Sequence, residues 1–204
     1  MNARTLLPAL VAMLGLAACG GILPKSQPFD VYQLGPARDV RAADGSESWH
    51  LRIDKPDAPR MLSSSRIVVM PEGSRVSVYE GARWVDAAPI LLRDRLIDAF
   101  RADGRVPMVS SDDDGLGTDY ELGSRLDAFQ AEYRGSDQPV VVVTLDAWLL
   151  PAGNSRPSAN RHFERIEPAT GTDVASVVAA FGRATDALAD DIIAWTLGAA
   201  DAKR

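Results

Sequence analysis

Apolar positions in this chain recur at two spacings, every second residue and every third or fourth, and the switches between them set out its elements. A short apolar run over 31–34 predicts a first strand, stopped by Gly35 and Pro36, and the charged stretch 37–48 reads as a loop. Trp49, Leu51 and Ile53 alternate with His50 and Arg52, which predicts a half-buried strand over 49–53. The run over 66–70 is apolar on both faces and predicts a buried strand. Residues 75–79 and 83–85 read as a hairpin, with Glu80, Gly81 and Ala82 in its turn. A short strand over 106–109 and alternation from Tyr120 to Tyr133 follow, with Phe129 on the wrong parity, the mark of a bulge or a two-sided strand. The run beginning at Val140 is apolar on both faces, as in a central strand, and continues to Pro151. A polar loop over 151–160 leads to a strand over 162–166.

Two segments carry the helical period. Asp86 is placed to cap the first, with Pro89 in its opening turn, and Leu92, Leu96, Ala99 and Phe100 form one stripe with Ile97 beside it. Arg93, Asp94, Arg95 and Asp98 lie off that stripe, and Gly104 ends the helix. Thr172 or Asp173 caps the second, whose apolar positions run from Val174 through Phe181 and Leu188 to Trp195, with Gly198 as its stop. The expectation is an α/β fold: about nine strands in a single domain, a mixed, largely antiparallel sheet packed by two main helices.

The N-terminal segment follows a different rule. After Arg4 comes an apolar run that ends at Ala18, 14 residues from Thr5, too short to span about 30 Å of hydrocarbon at 1.5 Å per residue. A basic start, a run of this length and small residues at its end describe a signal peptide. Leu16-Ala17-Ala18-Cys19 resembles the lipobox of bacterial lipoproteins. That resemblance implies cleavage before Cys19 and acylation of its thiol and new amine, palmitate among the chains. The chain then divides into a signal peptide (1–18), a lipidated N-terminus and flexible tether (19–30) and one folded domain (31–200). Cys19 is the only cysteine, so no disulfide can staple the fold.

Charge narrows the partners. With 22 Lys and Arg against 28 Asp and Glu, the chain carries a formal charge of −6 and has no basic run. Nucleic acid is excluded as a partner on this ground, and so is a polybasic grip on anionic lipid. No nucleophile elbow, phosphate loop or dinucleotide fingerprint is present. His50 and His162 lack ligand spacing, and Asp112-Asp113-Asp114-Gly115 lacks the spacing of a calcium loop and reads as a solvated acidic turn. The expectation is a non-enzyme with no catalytic residue, metal or cofactor. Of the four tryptophans, Trp195 lies on the helical stripe as a core residue, while Trp84 suits either the core or an interface.

Three segments taken in order are similar to a known family. They are residues 81–100, from Gly-Ala-Arg-Trp-Val-Asp-Ala-Ala-Pro through Leu-Leu-Arg-Asp-Arg-Leu; Asp119 to Leu122 with Leu126, Phe129 and Tyr133; and Arg161-His162-Phe163 with the C-terminal helix. With the lipobox, this pattern resembles the ABC-type transport auxiliary lipoproteins. The resemblance implies a lipid-anchored, non-catalytic component on the periplasmic face of the envelope. It would dock or tether an MCE-domain substrate-binding protein that works with a permease and an ATPase in lipid transport. Gly20 after the cysteine resembles outer-membrane sorting. Cys19 is the one residue to which the resemblance gives a defined role, and Arg83 and Trp84 are candidate partner contacts. Direct periplasmic carriage of a lipid by the domain is the alternative, and a hydrolase a third reading.

Overall fold

The computed structural model describes residues 28–36 and 44–202; Cys19, the signal segment and the first part of the tether lie outside the described residues. The elements run β1 (Asp30–Tyr32), β2 (His50–Ile53), β3 (Arg66–Glu72), β4 (Arg75–Trp84), α1 (Ala88–Asp103), β5 (Met108–Ser111), β6 (Tyr120–Glu132), β7 (Val140–Pro151), β8 (Ala159–Pro168) and α2 (Val174–Asp201). The eight strands form one mixed sheet, curled into a half-barrel, and the class is α/β.

Strand β6 organises the sheet. One edge of it pairs with β7 along 12 registered positions, and β7 in turn pairs with β8. Its other edge forks: the N-terminal half takes β2 and then β5, while the C-terminal half takes β3, then β4, then β1. The long ladders β6–β7 and β7–β8 are antiparallel, as is β3–β4. The parallel pairings β1–β4, β2–β5, β2–β6 and β3–β6 each span only three or four residues.

One apolar cluster joins the sheet to both helices, so α1 and α2 cover the same sheet face, and the other carries no helix among the described residues. Leu122, Leu126, Phe129, Val143 and Leu145 point into that cluster against Phe181, Leu188 and Ile192 of α2. Phe129 keeps its place among them because Asp127 is bulged out between the registered pairs Leu126–Leu145 and Ala128–Thr144, which resolves its odd parity in favour of the bulge. Asp173 is the N-cap of α2, accepting from the Ser176 amide at 2.9 Å.

Several expectations are corrected. Residues 75–84 form one strand instead of two: the hairpin turn is at Gly73 and Ser74, between the pair Glu72–Arg75. Gly81, at φ +68°, sits in a bulge of β4 between the registered positions Val78 and Arg83, which is why the described residues form eight strands and not nine. Asp86 does not cap α1; its Oδ1 accepts from the Ala87 amide at 2.7 Å, and Ala87 is the N-cap without a side-chain bond. Gly104, at φ +79°, ends α1 as expected, but Gly198 lies within α2, which continues to Asp201. Strand β5 begins two residues later than the pattern suggests, and β8 extends beyond 162–166 at both ends. Trp195 is half-buried at the core margin, meeting the Phe163 ring edge-on at 5.6 Å.

Arg93 and Arg95, read as lying off the apolar stripe of α1, are both buried. The Arg95 guanidinium donates to the Gly35 carbonyl and reaches Asp186 of α2 at 3.1 Å, tying the segment after β1 to both helices. Arg93 Nη1 lies 2.9 Å from Asp112 and 2.6 Å from Asp113, with Asp94 on its Nε at 2.9 Å. The acidic turn is therefore the counter-charge of a buried arginine. Burial opposes the charge on Arg93, yet its hydrogen bonds to Asp113, Asp112 and Asp94 outweigh that and raise its pKa. Asp112 shows the converse: burial alone would raise it, but the Arg93 hydrogen bond holds its carboxyl below the usual range.

Candidate functional site

Arg83 and Trp84, the candidate contacts, lie at the β1–β4 margin, where the chain enters the domain, while Cys19 lies outside the described residues. Register puts Val31 opposite Arg83 and Tyr32 opposite Trp84, and the Val85 amide donates to the Tyr32 carbonyl at 2.7 Å. Side chains alternate across a strand, so neighbouring residues of β4 face opposite ways. Trp84 turns inward and is 1% exposed, meeting Phe181 edge-on at 5.1 Å and Phe129 at 5.9 Å. Its indole N–H has no hydrogen-bond partner among the described residues. A direct contact between Trp84 and a partner is thereby corrected: the indole is core, and Arg83 is the surface member of the pair.

Arg83 turns outward onto the helix-free face. Its guanidinium carbon stands 3.1 Å from the centroid of the Phe29 ring, a cation–π contact that fixes where the cation sits. Around it the surface is apolar: Phe29, Val31 and Val85 are 42%, 56% and 57% exposed. Exposed apolar groups this close together mark a contact surface more often than isolated ones do.

Two clefts flank this margin. One, of about 340 Å³, is lined by Phe29, Ser64, Ser65, Arg66, Val78, Tyr79, Glu80, Gly81, Ala82 and Arg83. Burial raises the pKa of the Tyr79 phenol, and Tyr133 adds to the effect, so Tyr79 is a neutral wall. The other, of about 390 Å³, lies between residues 33–36, Val85 and the α1 side chains Leu91, Asp94, Arg95 and Asp98. Arg66 has no marking in the sequence pattern; only strand register brings it beside Arg83.

Elsewhere the other candidates stay apart. His162 and Asp146 form a cross-strand pair at 2.6 Å, exposed on the helix-free face, while His50 is in β2, its amide donating to Asp119. No group of three or more His, Cys, Asp or Glu is arranged to hold a metal ion among the described residues. No helix among them is long and apolar enough to cross a membrane.

Comparison with known proteins places this architecture. A solved protein of Xanthomonas campestris, assigned to the DUF330 family, superposes with a TM-score of 0.78 at 30% identity, over 85% of this chain and 98% of its own. A second solved structure, of an uncharacterised protein, is 16% identical with a TM-score of 0.60, over 81% of this chain and 97% of its own, and shares the fold. An uncharacterised protein of Bradyrhizobium diazoefficiens is 30% identical over 169 residues, which is 81% of this chain but 44% of that protein, so the chain spans less than half of its length. The family model for the ABC-type transport auxiliary lipoprotein component matches residues 32–193, from β1 well into α2, and the chain belongs to that family.

Proposed function

We propose that this chain is a lipid-anchored, non-catalytic auxiliary subunit of an envelope lipid transport system, acylated at Cys19 and docking an MCE-domain protein that works with a permease and an ATPase. The observation that carries the reading is the family match over residues 32–193. The lipobox-like tetrad ending at Cys19 supports the anchor, and Gly20 supports the outer membrane as its address. In this reading the docking surface is the exposed margin of Val31 and Val85 with Arg83 beside them, held in shape from beneath by Trp84. Docking suits the site better than enclosure of an acyl chain, because both clefts at this margin include charged side chains in their walls.

Co-expression with the MCE protein of the same system tests the reading. The intact chain is expected to co-purify with it, and Val31→Asp combined with Val85→Asp to weaken the complex about tenfold or more, since both valines lose apolar burial. Failure of the unaltered chain to co-purify refutes docking. Cys19→Ser is expected to move the protein from the membrane to the soluble fraction; retention in the membrane refutes the anchor.

A further inference from the structure

Arg66 and Arg83 are directly opposite across the β3–β4 ladder. The Trp84 amide donates to the Ser65 carbonyl at 2.7 Å, which makes Ser65–Trp84 the hydrogen-bonded pair and Arg66–Arg83 its close, non-bonded neighbour. Their Cβ atoms are then about 4.5–5.5 Å apart on one face, where like charges repel. Here neither guanidinium has an ion pair or hydrogen bond among the described residues, and Arg83 is pinned on Phe29. Both arginines are exposed and line the 340 Å³ cleft with Ser64 and Ser65, while Glu80 stands on the same cleft without pairing to either arginine.

We propose that this cleft binds a phosphate-bearing anion, whose oxyanion lies between the Arg66 and Arg83 guanidinium groups. Two planar forks of N–H donors match the tetrahedral oxygens of a phosphate ester, and an anion between them turns the repulsion into attraction. Val31 and Val78, the latter in the cleft itself, continue the site as apolar surface, which suits a group that joins a phosphate to hydrocarbon. The site differs from a polybasic patch: two cations recognise one oxyanion, and the acidic remainder of the chain discourages a broad hold on a negative bilayer. This inference does not rest on the docking reading.

The test uses the full-length chain carrying Cys19→Ser, so that no acyl anchor contributes. Glycerol phosphate is titrated calorimetrically, and flotation is measured with vesicles of phosphatidylglycerol in phosphatidylcholine and with phosphatidylcholine alone. Binding to glycerol phosphate and to the anionic vesicles is expected, with about a tenfold loss for Arg66→Gln or Arg83→Gln and an intermediate loss for Arg66→Lys, which keeps charge without the fork. Glu80→Gln is expected to strengthen binding. Because both arginines are exposed, unchanged thermal unfolding of these variants separates lost binding from lost folding. Binding to glycerol phosphate without flotation assigns the site to a free phosphate ester and upholds the oxyanion. Absence of binding to either probe, or binding indifferent to both arginines, overturns it. So does a result in which the arginine variants weaken only association with the MCE protein, which would make the pair a contact for its carboxylates.

Discussion

Trp84→Ala separates the core from the interface role of this residue by stability alone. The indole is 1% exposed and packs against Phe129 and Phe181. Burying about 150–250 Å² of aromatic surface at about 25 cal/mol per Å² stabilises by roughly 4–6 kcal/mol, an upper bound set by an extended unfolded chain. Part of the side chain remains in alanine, and the cavity left behind adds its own cost, so the expected loss is about 3–5 kcal/mol. Against a total of about 5–15 kcal/mol this is large. Trp84→Phe provides the control. It loses less volume and also removes an N–H that has no partner among the described residues, whose burial costs about 1–3 kcal/mol. Its net cost is therefore expected to fall below about 2 kcal/mol. Urea unfolding followed by circular dichroism measures both, with the slope m required to stay constant. A Trp84→Ala loss under about 1 kcal/mol would refute the packing argument and return Trp84 to the surface.

Three further outcomes follow from other parts of the fold. Gly123→Ala should destabilise by about 1–3 kcal/mol, because its new methyl would stand 2.3 Å from Trp148 Nε1 and force the indole off the sheet; a shift in Trp148 fluorescence accompanies it, and an unchanged spectrum contradicts the clash. Gly81→Ala should lose about 1 kcal/mol despite open space around it, since φ is +68°, and a thermal midpoint equal to that of the parent would dismiss the bulge as strained. Asp112 has a depressed folded pKa, so its contribution is present above the unfolded value of 3.8 and is lost as pH falls through the lower folded value. Asp112→Asn should flatten the acid limb of stability below about pH 4, and an identical limb in parent and variant rejects the Arg93 pairing as its cause.

Local period was enough to locate both helices and most strands, because each buries one face against the single apolar cluster. It failed where a position depends on a partner remote in sequence. Arg95 is about 40° from Ala99 around α1, and Arg93 about 20° from Phe100, at 100° per residue, so both lie inside the buried arc. Placing them off the stripe follows from polarity; their burial follows from Asp186 on α2 and from Asp112 and Asp113 after β5, which no local window contains. Gly81 carried a turn signal that was right about positive φ and wrong about chain reversal, since a bulge and a turn ask the same of one glycine. The β3–β4 hairpin turned instead at Gly73, whose φ of +49° asks the same again.

The candidate site obeys the same division. Arg83 was visible as part of a recognisable segment, but Arg66 is ordinary until register sets it opposite. That register is itself fixed by burial. Trp84 must face the core to meet Phe181, and inversion of β4 by one residue would drive Arg83 inward and the indole into water. The side chain that serves no surface role thus decides which cation is exposed, and the bulge at Gly81 lets β4 keep that orientation after its register has slipped against β3. Loss of the arginine pair through a change at Trp84 or Gly81 would therefore be a change of strand register, distinguishable from loss of charge because it would also break the Val85 hydrogen bond to Tyr32 that holds β1 to the sheet.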